Sequence, residues 1–118
     1  MYGVPEDLDL QFLHGAEVIQ VCIGLYQVQF IFHPEANVSV EGEWILYAAD
    51  GSQLDRSRPS PRQEAFQLHR LLGQRVAETR VSSPSWIDLQ FESGDLLRIF
   101  DSSQEYESFS IQPGNIFI

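Results

Sequence analysis

Glu17-Val-Ile-Gln-Val-Cys-Ile-Gly-Leu-Tyr-Gln-Val-Gln-Phe-Ile-Phe32 decides the fold. Two runs alternate apolar and polar residues on either side of Gly24-Leu25, the period of a strand with one buried face. Glycine in the first turn position suits a type II′ hairpin, whose positive φ it takes without strain. That turn pairs Ile23 with Tyr26, Val21 with Val28 and Ile19 with Phe30. All six then lie on one face, while Gln20, Gln27 and Gln29 face water. A slip of one residue would turn every apolar group outward, so the faces are strongly specified. Cys22 falls on the glutamine side.

Working outward, Leu8, Leu10, Phe12 and Leu13 form a helical turn or an entering strand before Gly15. His33-Pro34-Glu35-Ala36-Asn37 reads as a loop. Val38 to Tyr47 reads as a third strand, with Val38, Val40, Trp44 and Leu46 on one face and Ser39, Glu41 and Glu43 on the other. Gly42 in its middle marks a bulge. Asp50-Gly51 suits a type I′ turn into a short strand through Leu54. Ser60 caps a short helix near 61–72, with Pro61 first, Gln63 completing a capping box and Gly73 the stop. Ala65, Leu68 and Leu72 line its buried face, flanked by Phe66 and Leu71. Further strands follow at Val76–Val81, Trp86–Phe91 and Tyr106–Ile111. A turn at Ser93-Gly94-Asp95 pairs Phe91 with Leu97 and Leu89 with Ile99. Ile116-Phe117-Ile118 is an apolar tail expected to be tied into a sheet.

The fold class is mainly β (α+β): antiparallel sheets of about seven to eight strands, as a sandwich or a small barrel, with one short helix. Residues 1–118 read as a single domain. Within it Leu13-His-Gly15-x-x-Val18 is echoed by Leu71-Leu-Gly73-x-x-Val76, and Tyr26-Gln-Val-Gln-Phe30 by Ile87-Asp-Leu-Gln-Phe91. Glu41-Gly-Glu-Trp44 matches Glu107-Ser-Phe109 with one residue deleted. The echoes predict an internal duplication with units 5–55 and 60–118.

The chain has seven arginines, no lysine and 17 acids, a net charge of −10. The charges are segregated: residues 1–55 hold nine acids and no arginine, whereas 56–80 hold six arginines and two acids. Such a chain repels nucleic acid and anionic membrane, because both demand neutralised phosphates. It attracts a basic protein. No apolar run reaches membrane-span length. The start lacks the basic and apolar pattern of a signal peptide, and the single Cys22 leaves no internal disulfide. A cytoplasmic location is the expectation.

Val40-Glu-Gly-x-Trp44, Gly94-Asp-Leu-Leu-Arg-Ile-x-Asp101 and Tyr106-Glu-Ser-Phe-x-Ile111 resemble the patterns of a family of small bacterial domains of unknown function. The resemblance covers most of the chain and implies a β-rich bacterial domain. By analogy with similar small acidic domains it is immunity-protein-like, an antagonist of a basic toxin. It brings no catalytic residue.

His14, His33 and His69 are isolated and lack zinc-ligand spacing. No serine sits on a nucleophile elbow and no Gly-rich phosphate loop is present. Neither an enzyme nor a bound cofactor or metal is expected. The candidate interaction or structural residues are Glu41, Glu43, Trp86, Arg98, Tyr106 and Glu107. Trp86 alternates with Asp88 and Gln90 and so lies on the polar side, suited to an interface. Glu107 shares a strand face with Phe109 and Ile111, where a carboxylate must reach water or find a partner. Arg98 is one such partner. Glu41 is its mate across the repeat, should two carboxylates work as acid and base. Three functions stay open: an interaction module for a basic partner, a small apolar-ligand domain with a closed aromatic-lined cavity, and a homo-oligomer whose basic segment docks on a neighbour's acidic sheet.

Overall fold

The computed structural model describes residues 3–24, 27–57, 66–101, 108–113 and 116–118. A 3-10 turn at Gln11–Leu13 leads into β1 (Glu17–Ile23), β2 (Val28–His33), β3 (Ala36–Val40), β4 (Trp44–Tyr47) and β5 (Gln53–Arg56). A second 3-10 turn, Leu68–Leu71, leads into β6 (Val76–Ser82), β7 (Trp86–Phe91), β8 (Leu96–Phe100), β9 (Phe109–Gln112) and β10 (Ile116–Phe117). The strands form two five-stranded antiparallel sheets, ordered β1-β2-β3-β9-β10 and β5-β4-β8-β7-β6. Among the described residues both are open and no barrel closes, so the sandwich-like alternative holds. No helix among the described residues is long and apolar enough to cross a membrane.

Each sheet borrows two strands. β4 and β5 leave the first sheet and pair with β8, while β9 and β10 leave the second and pair with β3. The exchange is reciprocal down to single bonds. Gly15 N–H donates to Val76 O and Gly73 N–H to Val18 O, both at 2.8 Å; Val18 N–H donates to Gln74 O and Val76 N–H to Ala16 O, both at 2.9 Å. A bulge follows Val18 in β1 and Val76 in β6. Gly15 and Gly73 have φ of +81° and +83° at the two corners. Ladder equivalence places Phe32 with Phe91, since these face Val18 and Val76. The sequence echo had matched Phe30 to Phe91, two residues away. Trp44 and Phe109 correspond as read from sequence, opposite Ile99 and Val40.

The inner faces share one core. Val18, Phe30, Val38, Val40, Trp44 and Leu46 meet Val76, Leu89, Leu97, Ile99, Phe109 and Ile111, all buried. The 3-10 turns plug its ends with Leu10 and Leu13, and with Leu68 and Leu71.

Several expectations change. The helix expected near 61–72 has its cap and first turn outside the described residues, and the rest is the single 3-10 turn. Its i, i+3 stacking buries Leu68 with Leu71 and leaves Leu72 exposed. The long third strand is two strands, because residues 41–43 carry the chain from one sheet to the other. Gly42 therefore lies in a crossover, not in a bulge. Val38, Val40, Trp44 and Leu46 still face one core, because both sheets look onto it.

Both hairpins on which pairings were placed move by two residues. Ile23 pairs Val28 and Val21 pairs Phe30, so the first loop is Leu25-Tyr26, outside the described residues. The bulge turns Ile19 out of the core, and Val18 takes the buried place. Leu89 pairs Leu97 and Ile87 pairs Ile99. The β7–β8 loop is Glu92-Ser93-Gly94, closed by Phe91 N–H to Asp95 O at 2.8 Å. The β4–β5 loop is likewise three residues, Ala49-Asp50-Gly51, closed by Ala48 N–H to Ser52 O at 2.8 Å, and not a type I′ pair. Each ends on a left-handed glycine, as three-residue hairpin loops do.

These two loops touch. A methyl on Gly94 would stand 2.6 Å from the Ala49 side chain, at a φ of +96°. Gly94→Ala is expected to cost about 2 kcal/mol, combining left-handed strain with overpacking. Gly73→Ala, with open space around it, should cost about 1 kcal/mol. Equal losses in urea unfolding would contradict the close approach of the two loops.

Candidate functional site

The outer face of β7, β8 and β4 carries the concentration of aromatic and charged groups. Register sets three neighbouring rows. Trp86 lies opposite Phe100, whose N–H donates to Glu43 O at 3.0 Å. In the next row Arg80, Asp88, Arg98, Ile45 and Arg56 follow one another across the sheet. In the third row Glu78, Gln90, Leu96, Tyr47 and Gln53 do so.

Arg98 is the centre. Its Nε donates to Asp88 Oδ1 at 2.8 Å and its Nη2 to Oδ2 at 3.2 Å, the fork geometry of a strong charge-assisted pair. The guanidinium carbon stands 4.5 Å from the Trp86 ring centroid and 5.5 Å from that of Tyr47. The Trp86 and Phe100 centroids are 5.8 Å apart. The bond from Asp88 raises the Arg98 pKa, against the opposing effect of burial. Asp88 itself is 5 % exposed. Its carboxylate is acceptable there because the arginine fork satisfies it. The indole N–H of Trp86 is buried and meets no acceptor among the described residues.

A groove of about 350 Å³ opens beside Arg98, floored by Tyr47, Leu96 and Gln90 and flanked by the Gly51 and Gly94 turns. At its rim Asp50 Oδ1 accepts bonds from Ser52 Oγ (2.6 Å) and Ser52 N–H (2.9 Å), which lower the Asp50 pKa below its ordinary 3.8.

The rows of the other sheet equivalent to the second and third carry no charge among the described residues: Cys22, Gln29, Ser39 and Ser110, and Gln20, Ile31, Asn37 and Gln112. A second groove, about 510 Å³, lies against that sheet between Ile19, Ile31, Asn37 and Pro113. Positions that match in the core thus differ on the outside, and the arginine–aromatic cluster belongs to one sheet alone.

Of the candidate residues, the structure brings Glu43, Trp86 and Arg98 into neighbouring rows. Glu41 is exposed in the crossover, where the N–H groups of Glu41 and Gly42 both donate to Ser108 O at 2.9 Å. Tyr106 and Glu107 lie outside the described residues. The fork of Arg98, one of the partners offered for Glu107, is taken by Asp88. Asp88, Tyr47 and Phe100 were missed. The sequence pairing set Asp88 opposite Phe100 and Gln90 opposite Arg98. Placing Gly94 last in a three-residue loop would have set Asp88 opposite Arg98.

Among the described histidines, His14 Nε2 lies 3.0 Å from Thr79 Oγ1 at the surface. No three His, Cys, Asp or Glu side chains gather to hold a metal among the described residues. On the outer face the Trp86 and Tyr47 rings are half-exposed beside the Arg98–Asp88 pair. No family model, curated protein or solved structure matches this chain.

Proposed function

We propose that the protein is a non-catalytic interaction module that docks a basic protein on the outer face of β7, β8 and β4. The observation that carries this reading is Arg98, locked between Asp88, Trp86 and Tyr47 while these aromatic rings stay half-exposed. Trp, Tyr and Arg dominate binding hot spots. Side chains already fixed by an ion pair have less freedom to lose on docking. Glu43, Asp50, Glu78 and Asp88 offset Arg56, Arg80 and Arg98 on and around the face, and the net charge of −10 of the whole chain supplies the field that steers a basic partner. An immunity-like antagonist of a basic toxin, acting in the bacterial cytoplasm, is the specific form of the proposal, and the family resemblance supports it. The apolar-ligand alternative asks for a closed cavity, and both grooves described above open to solvent.

The test is capture by the tagged protein from its host at low salt, followed by a salt step. One basic protein in near-stoichiometric amount should elute. A Tyr47→Ala/Trp86→Ala double variant that still folds should lose it at least tenfold, the size of effect expected for hot-spot truncation. Capture unchanged by the double variant would overturn this face as the docking site.

A further inference from the structure

β1 ends its sheet, and its outer edge is divided. Gly73 and Gln74 hydrogen-bond to Val18, and Arg75 bridges to Glu17, which covers the beginning of the strand. Beyond the bulge, Ile19 to Ile23 form no backbone hydrogen bond on their outer side among the described residues. Ile19 and Ile23 are 54 % and 50 % exposed.

The matching edge in the other half is guarded. There β6 places Glu78 and Arg80 where β1 has Gln20 and Cys22, and their side chains approach to 3.9 Å. Charges on an edge strand are a usual defence against pairing with another sheet. β1 has none beyond Glu17, which meets Arg75 at the covered start of the strand, and residues 18–32 contain no charged side chain at all. A basic partner finds nothing complementary on this hairpin. For two copies of a chain of net charge −10, it is where approach meets least repulsion.

We propose that two copies of the chain join edge to edge through β1, in an antiparallel ladder whose two-fold axis passes through Cys22. The register follows from the hairpin. Gly24 N–H donates to Gln27 O at 2.8 Å, and bonded and non-bonded pairs alternate along an antiparallel ladder. Cys22–Gln29 is then the next bonded pair, so Val21 and Ile23 turn their N–H and C=O groups outward. Pairing Val21 with Ile23 of the second copy, and Ile23 with its Val21, uses all of these groups. The alternative, centred on Val21, would bring the bulged Ile19 opposite Ile23, and the two point to opposite faces. The axis at Cys22 sets the two thiols side by side on the outer face. It also brings Ile23 against the second copy's Val21 on the inner face. This surface is distinct from the arginine–aromatic face, which remains free in the pair.

Sedimentation of the full chain from low to high salt tests this. The expected mass is twice the 13.5 kDa of one chain. The dimer should strengthen as salt rises, because screening removes like-charge repulsion. Docking of the basic segment on an acidic sheet would weaken instead. Diamide, which takes one hydrogen from each of two thiols, should join the copies through Cys22. Ile23→Glu and, as a second variant, Cys22→Arg should each be monomeric while keeping the strand spectrum in circular dichroism. A monomer at every salt overturns the proposal. So does a dimer that dissociates in salt, survives Ile23→Glu or fails to cross-link.

Discussion

Trp44→Ala is expected to remove about 3–5 kcal/mol of stability, the range for truncating a large aromatic in a packed core. Trp44 is the first residue after the crossover, is 2 % exposed, and has its ring centroid 5.7 Å from that of Phe66. Its backbone N–H donates to the Ser57 hydroxyl oxygen at 3.1 Å, and its carbonyl accepts the Ser57 N–H at 2.9 Å. The indole therefore fills the core and the backbone beside it anchors the returning β5. Phe109 holds the reciprocal place in the other sheet, so Phe109→Ala should fall in the same range. Urea unfolding of both variants is the measurement. A loss below about 1 kcal/mol for either, the level of an ordinary surface change, would deny that the two crossovers are equivalent anchors.

Arg98→Met is the second large effect, about 3 kcal/mol. The arginine side chain is 28 % exposed, but it satisfies an Asp88 carboxylate that is nearly buried. Removing one partner strands the other charge, and that penalty exceeds the net contribution of the pair. The double variant Asp88→Leu/Arg98→Met should recover most of the loss, because neither charge remains to be stranded. A single-variant loss below about 1 kcal/mol would class the pair with exposed ion pairs. The pH dependence has a definite sign. Arg98 has its pKa raised in the folded protein, so its contribution is complete at neutral pH. It is lost only as pH rises through the folded value, far into alkali.

Side-chain parity was legible except at the β1 bulge. Val28, Phe30, Val38, Val40, Trp44, Leu46, Leu89 and Phe91 were assigned to inward faces and are buried. Pairing was less legible, because a two-residue shift moves no side chain to the other face and leaves the apolar pattern unchanged. Loop geometry settles such a shift, and at the β7–β8 hairpin Gly94 in third position was the available signal. The same shift hid Asp88. Trp86 and Arg98 could be singled out, one as an apolar group on a polar face and the other as an isolated cation, but their common partner depended on the register. Ile19 was misplaced for another reason. The bulge is set by the turn of chain at Gly73–Arg75, far away in sequence, and nothing local to Glu17–Ile23 announces it. The crossover at 41–43 escaped notice because two sheets facing one core extend the same alternation across the gap.

The exchange of β4–β5 for β9–β10 bears on synthesis at the ribosome. When residues 1–57 have emerged, β4 has no β8 to join and β3 exposes the edge that β9 will occupy. Neither sheet can be completed from its own half, and closure awaits Phe109–Gln112. Until those residues emerge, the nascent chain carries the β1–β2 hairpin, uncharged from Val18 to Phe32, with its apolar inner face uncovered, the condition under which an incomplete sheet is prone to pair with another chain.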